Sequence, residues 1–333
     1  MQIQYFVKPC RFALLALFVC LVTFSHASFG QSGFPSKPVK IVVAYAPGGT
    51  TDTMARLLGQ KLSEVWGKPV VVDNKPGGGG AIAAEFVARS AADGHTILLG
   101  TIGEMAINPS LESKINYDPQ RDFAPVAKLA VTPLLLVTHP NLAVKSVKEL
   151  IELAKSKPDH VSFLSTGQGS SQHMSGEIFK KMTGTKIVHV PYKGGAPQTA
   201  ALLAGQEPQF GFVSIGNVLP YIQSGKLKAI AVSNANRYKP LPDVPTIEES
   251  NLAGFNTAPW MALFVPTNTS KEIIQTINAE SLKILLQTDV KDRLTQMGFE
   301  LTPSSPQELA SFVQSEISKY RTVVDDLGLR SNP

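Results

Sequence analysis

The sequence predicts an α/β protein of two lobes, and three observations carry that expectation. Short β-branched apolar runs alternate with amphipathic helical patterns over 40–99 and again over 161–232, the signature of parallel βαβ units. Extended stretches, Phe123 to Val137 and Phe255 to Val265, carry the chain across after the first block and back after the second. Glycine, serine and threonine recur where strands give way to helices, which in open α/β sheets is the end where ligands collect. At 333 residues the chain has room for about two domains.

Ile41, Val42 and Val43 form the first strand, ending at Tyr45, and Met54, Leu57, Leu58, Leu62 and Val65 share one face of the helix that follows. Pro47-Gly48-Gly49-Thr50-Thr51-Asp52 joins the two. Unpaired first-turn N–H groups and the positive end of the helix dipole attract anions there, and Gly48 and Gly49 clear the approach. The plain alternative makes Asp52 or Thr51 an N-cap and the glycines a turn.

Lys68–Asp73 is the second strand, with Asp73 read as structural, and Asn74-Lys75-Pro76-Gly77-Gly78-Gly79-Gly80 leads to a helix from Ala81 to Ser90. Gly78 to Ala83 fits a loose dinucleotide fingerprint. However, three residues separate the strand from the glycines, and Gly100-Thr101 stands where an acidic ribose partner belongs. Gly79 and Gly80 are therefore read as a second backbone surface against a small ligand. A third strand, His95–Leu99, opens into Gly100-Thr101-Ile102-Gly103-Glu104, a third candidate wall containing Thr101, Gly103 and Glu104. A Glu104 that faced the cleft would repel an anion unless a cation paired with it. Asn108-Pro109-Ser110 reads as a turn.

Beyond the crossing, Ser146 and Glu149 form a capping box for a helix to Lys155. Val161–Leu164 is a strand, Ser165 to Ser170 a small-residue loop with Thr166 and Gly169, and Ser171 opens a helix that Gly184 stops. Lys186–Val190, a loop holding Lys193 and Gly194, and the helix Gln198–Ala204 follow. Strands Phe210–Ser214 and Lys228–Val232 flank a helix near Val218–Gln223. The tail is helical in pattern: Ser270 to Leu286, Val290 to Met297 and Pro306 to Leu327. The lobes expected are 34–131 plus 252–333, and 132–251.

Lys8 and Arg11 precede an apolar run, Phe12 to Phe24, and Ser25-His26-Ala27 offers small residues for a signal peptidase, so 1–27 reads as a cleaved signal peptide. The run is shorter than the ~20 residues of a membrane span, and Val19 before Cys20 is too large for a lipoprotein site. Cys10 and Cys20, the only cysteines, both fall in this leader, which leaves no disulfide, thiolate nucleophile or thiolate metal site in the remainder. Removing Lys8 and Arg11 lowers the formal charge from +5 to +3, too mild for nucleic acid without a basic cluster. No pair of histidines has metal-ligand spacing on one helix face, and neither metal nor cofactor is expected.

Ser170 and Ser171 with His173 raise a secreted serine hydrolase as the rival. Gly169-Ser170-Ser171-Gln172-His173 lacks the closing glycine of a nucleophile elbow. Residues two apart on a helix, such as Ser171 and His173, also point about 200° apart. The reading is of a protein that is not an enzyme.

Tyr45-Ala46-Pro47-Gly48-Gly49-Thr50-Thr51-Asp52, Asn74-Lys75-Pro76-Gly77-Gly78-Gly79-Gly80, Asp93-Gly94-His95-Thr96, Ala106-Ile107-Asn108-Pro109-Ser110-Leu111, Val190-Pro191-Tyr192-Lys193-Gly194, Gly225 to Val232 and Leu241-Pro242-Asp243-Val244-Pro245-Thr246 occur in order. This set closely resembles the Bug family, extracytoplasmic solute receptors of tripartite tricarboxylate transporters. The resemblance implies a two-lobed periplasmic binding protein, type II-like, each lobe a mostly parallel sheet flanked by helices, with a hinge between. It implies a small carboxylate held by loop amides, hydroxyls and water, and membrane permease subunits as partners. Carried onto this chain, Pro47 to Asp52 would grip a carboxylate from the first lobe and Thr166 to Ser171 from the second.

Two residues depart from the family pattern. Ser214 and Gln209 stand where many members carry an acid, which favours a plain carboxylate over an amino acid. Glu104 stands where a small or hydroxylated residue is usual. A dicarboxylate is the first expectation, because both lobes present anion-seeking helix ends; an aromatic acid in a cleft lined by Tyr45, Tyr192 and Phe212 is the second. The chain is expected to be a periplasmic monomer, serving uptake or, as an alternative, sensing.

Overall fold

The computed structural model describes residues 1–3, 33–111, 115–205, 209–234 and 236–330. The expected signal peptide, with Cys10 and Cys20, lies outside the described residues apart from its first three. Lys37–Pro333 is one compact unit and carries every element below.

The chain opens with β1 (Val39–Val43), α1 (Thr50–Trp66), β2 (Val70–Asn74), a short 3-10 turn Gly78–Gly80, α2 (Ala81–Ala88) and β3 (Thr96–Thr101). A π-helical turn, Gly103–Ile107, runs on into α3 (Asn108–Leu111), and β4 (Phe123–Val131) follows. Next come β5 (Leu134–Thr138), α4 (Val147–Ser156), β6 (Ser162–Ser165), α5 (Ser171–Thr183), β7 (Val188–Pro191), α6 (Gly195–Ala204), β8 (Gln209–Ser214), α7 (Ile215–Gln223) and β9 (Lys228–Val232). The return consists of β10 (Trp260–Pro266), α8 (Lys271–Leu286), α9 (Thr288–Gln296), β11 (Glu300–Leu301) and α10 (Pro306–Leu327).

Two sheets result, in the orders β11-β4-β10-β3-β1-β2 and β7-β6-β8-β5-β9. In the first, β1 pairs parallel with β2 and β3, while β10 inserts antiparallel between β3 and β4. In the second, β6 pairs parallel with β7 and β8, while β5 inserts antiparallel between β8 and β9. Each sheet is thus a parallel framework interrupted by the strand that has just arrived from the other sheet.

The alternation of side chains shows that the second sheet is covered on both faces. Leu134 and Leu136 of β5 join Phe163, Phe179, Phe210, Phe212 and Phe255 on one face, whereas Leu135 and Val137 join Leu164 and Val213 on the other. Phe212 is therefore core, not a wall of a cleft, which corrects the expected aromatic lining. Leu252 and Phe255 pack in that same core.

The two crossings run side by side. Thr132 N–H donates to Pro259 O at 2.9 Å. Ser233 N–H donates to Leu134 O at 2.9 Å, and its hydroxyl donates to Thr257 O at 2.6 Å. A second correction concerns Asn108-Pro109-Ser110, expected as a turn and found helical. Pro109 has no N–H to give a π-type partner five residues back. That partner, the Glu104 carbonyl, instead accepts the Tyr117 hydroxyl at 2.7 Å.

Candidate ligand-binding site

Between the sheets lies a cleft lined by residues from both. Four helices begin at its wall: Gly49, Thr50 and Thr51 come from the start of α1, Ser171 and Gln172 from α5, Gly195 from α6, and Ser214 and Asn217 from α7. The N-cap positions of α1, α6 and α7 (Gly49, Gly194 and Ser214) make no side-chain cap bond. Their first-turn N–H groups thus keep the capacity that a capping oxygen would otherwise absorb. Only α5 is capped, its His173 N–H donating to Ser170 Oγ at 3.2 Å.

Hydroxyls supply most of the remaining polarity. Thr166 and Ser171 both donate to Gln172 Oε1 at 2.9 Å, which leaves the Gln172 amide nitrogen as its donor end. Thr132, at the crossing, is 1% exposed, and its hydroxyl has no partner. Pro259, Trp260 and Met261 complete the lining from the return crossing, and the Trp260 indole N–H is spent on Glu316 at 3.0 Å. No lysine, arginine or histidine is among the lining residues. The site therefore offers dipoles and neutral donors to an anion rather than a counter-charge.

The sheets interlock around this cleft. Ala46 N–H donates to Lys193 O at 3.0 Å, and Thr50 Oγ1 donates to Asn217 Oδ1 at 2.9 Å. On the other flank, a Cβ on Gly79 would overlap the Gln168 carbonyl oxygen, and one on Gly169 would overlap the Asn108 side chain. Gly79 adopts φ 59° and is held by Asn108 Nδ2, which donates to its carbonyl at 3.0 Å.

The receptor family model for the tripartite tricarboxylate transporter family matches residues 54–329. The chain belongs to that family. BugT of Bordetella pertussis is 33% identical over 319 residues, 96% of this chain and 97% of that protein. The structure of Rpa4515 of R. palustris with adipate is 36% identical at a TM-score of 0.85, covering 89% of this chain and 98% of that one. MatC of Rhodopseudomonas palustris with bound malate is 35% identical at a TM-score of 0.84, covering 87% and 100%. The chain is thus a two-lobed solute receptor of the Bug kind.

Of the residues singled out in this receptor's sequence, Tyr45, Gly49, Thr50, Thr51, Thr101, Thr166, Ser171 and Ser214 line the cleft. The others stand behind it or seal it. Asp52 is buried and turned back on its own loop, accepting Gly48 N–H, Arg56 Nε and Asn74 Nδ2, each at 2.9 Å. Burial pushes its pKa up, but the bonds from Arg56, Gly48 and Asn74 outweigh that and hold it below the usual range. These bonds tie the loop to α1 and β2. Pro47 and Gly48 lie outside the lining, as do Gly79, Gly80, Gly103 and Gly169. Lys193 contributes its carbonyl to closure while its side chain is exposed, and Gly194 packs against Ala46.

Ser170 is fully buried as the cap of α5, and the His173 ring accepts Gly169 N–H at 3.3 Å instead of pairing with a serine. The nucleophile–base contact that the hydrolase reading required is replaced by these two bonds. Glu104 is buried behind Thr101 and does not face the cleft. Sequence reasoning missed Thr132, Gln172, Gly195, Asn217, Pro259, Trp260 and Met261. Gln172 had a signal in its place within the first turn after a small-residue loop; Asn217, whose helix follows its strand with no loop between, and the crossing residues had none. Among the described residues no cluster of metal ligands occurs, and no helix is long and apolar enough to cross a membrane.

Proposed function

We propose that this receptor captures a small dicarboxylate in the cleft and presents it to the permease subunits of a tripartite transporter. The observation that carries the reading is the convergence of four helix N-termini, three without side-chain caps, on a cleft lined by no cationic side chain. α1 approaches from the first sheet and α5, α6 and α7 from the second, which gives two opposed anion seats. Adipate and malate in two related structures are both small dicarboxylates and support the same class.

Our reading places 34–131 and 256–333 in one lobe and 132–255 in the other, closing about the paired crossings. The chain works as a periplasmic monomer after its leader is cleaved, and as a binding protein without turnover.

The test is a thermal-shift screen of the protein lacking residues 1–27 against C3–C6 di- and tricarboxylates, amino acids and aromatic acids, followed by calorimetry. A ligand at about 100 times its Kd stabilises the native state by about 2.7 kcal/mol. The expected result is a selective shift with a C4–C6 diacid at one-to-one stoichiometry, with no turnover and with light scattering reporting a monomer. A shift only with monocarboxylates or amino acids would overturn the dicarboxylate assignment, and ester turnover lost in Ser171→Ala would overturn the receptor role.

A further inference from the structure

Behind the Tyr45–Thr101 wall lies a carboxyl group that the ligand geometry leaves unused. Glu104 is fully buried. Its Oε1 accepts Thr101 N–H at 2.5 Å, and its Oε2 accepts the Thr101 hydroxyl at 2.8 Å and the Tyr45 hydroxyl at 3.3 Å. Burial lifts its pKa to about 7 against the pull of those bonds.

None of the elements packed around this carboxyl brings a cation to it. The β1–α1 link offers Tyr45 and β3 offers Thr101. Gly80, at the start of α2, comes close enough that a Cβ there would stand 2.9 Å from Oε2. Tyr117 donates to the Glu104 main chain, and Asn108 of α3 is engaged with Gly79. On α10 the buried titratable residues are Glu316, taken by Trp260 and by Lys319 at 3.6 Å, and Tyr320, kept neutral by burial.

The ligand seat and this carboxyl share two hydroxyls. While Glu104 is ionised, Tyr45 and Thr101 spend their protons on it, so they turn lone pairs toward the cleft and a negative charge sits directly behind them. Once Oε2 is protonated it can donate to Thr101 Oγ1, which also accepts Gly103 N–H at 3.2 Å. Both lone pairs of Thr101 are then filled, so its proton is free for the Tyr45 hydroxyl 3.2 Å away or for a carboxylate in the cleft, and Tyr45 no longer faces an ionised acceptor.

We propose that Glu104 is a proton site standing behind the ligand cleft, so that the receptor takes up an organic dianion together with one proton. The proton passes from solvent to Glu104 Oε2 and returns on release, and no covalent bond to the ligand forms or breaks. Glu104 is a positioning residue that acts through Tyr45 and Thr101. The inference rests on the carboxylate reading above.

Calorimetry with adipate as the probe tests it at pH 6 to 8.5, in phosphate and in Tris. Adipate's carboxyls stay largely ionised over this range, so a pH dependence belongs to the protein. The heats in the two buffers are expected to differ by the uptake of about one proton at pH 8, and affinity to fall by up to about tenfold per unit at the alkaline end. Glu104→Gln keeps a neutral donor at that position and is expected to bind with pH-independent affinity, without proton uptake, and at pH 8.5 about thirtyfold more tightly than the parent. Binding with equal heats in the two buffers, or proton uptake retained in Glu104→Gln, would overturn the proposal and leave the receptor reading intact. No binding by adipate or any other acid would overturn both. The buffer comparison needs no variant, so a misfolded Glu104→Gln leaves a decisive measurement.

Discussion

The two walls of the cleft are built from the same parts and finished differently. On one side α1 begins at Gly49 with no side-chain cap; on the other α5 begins at Ser170, whose hydroxyl already accepts His173 N–H. Behind the first wall burial raises Glu104, and behind the second it lowers His173 to about 3 and His189 to about 4, their rings stacked 4.2 Å apart. Of the second wall, α5 arrives capped, while α6 and α7 begin, like α1, without a side-chain cap. The first wall is the incomplete one, its single helix end open.

A charge placed at the incomplete end should disturb this contrast most. Asp at an N-cap accepts the first-turn N–H groups itself, so Gly49→Asp installs a resident carboxylate in the seat of the ligand. Like charges in one seat cost several kcal/mol, and the expected loss of dicarboxylate affinity exceeds about a hundredfold in calorimetry, without loss of melting temperature. Retained affinity would mean that the ligand does not use α1. Next in size is Thr132→Val, which removes the unpartnered hydroxyl at the crossing while keeping its shape. A hydrogen bond to a charged group is worth about 1.5–3 kcal/mol, so affinity should fall about tenfold or more while the unliganded protein melts unchanged. Unchanged affinity would place the ligand away from the crossing.

The most direct comparison exchanges the finish of the two walls. Gly49→Ser adds a cap to α1 and should raise stability by a few tenths of a kcal/mol while weakening binding severalfold. Ser170→Ala removes the cap of α5 and should cost about 1 kcal/mol of stability with affinity within about threefold of the parent, since a hydrogen bond within the wall, not one to the ligand, is lost. Denaturant melts and calorimetry on both proteins read the trade. If capping Gly49 cost no affinity, the open helix end would be incidental.

The incomplete wall was the more legible one in the sequence. A strand, Gly48-Gly49 and two threonines announce exposed N–H groups from local pattern alone, and the repeated alternation announced both sheets. What escaped was anything created by two distant segments meeting. Thr132 and Pro259 enter the cleft because the crossings bond to each other, and nothing near either residue in the chain signals that. One misplacement and one internal charge pairing had readable warnings. Phe210 and Phe212 fall on one face of a strand, the core face of a sheet covered on both sides. Asp52 has Arg56 one helical turn on, so its carboxylate was already provided for. Glu104 could be assigned only from the fold, since no spacing shows that a carboxyl lies behind a wall and not in it.

The smallest expected effect separates the walls by the sign of their pH dependence. Glu104 has a folded pKa raised from 4.5 to about 7, so the native state binds its proton more tightly, and stability is lost as pH rises through that window. His173 and His189 have folded values lowered from 6.5 to about 3 and about 4, so the unfolded chain binds their protons more tightly, and stability is lost as pH falls below 6.5. The melting temperature of the unliganded protein should therefore peak in mildly acidic buffer and decline on both sides. Glu104→Gln should flatten the alkaline limb and His173→Gln the acid limb, each by about 2–4 °C per kcal/mol of linkage removed. A Glu104→Gln protein with an unaltered alkaline limb would show that the carboxyl is ionised without penalty. The two walls would then differ in their caps alone.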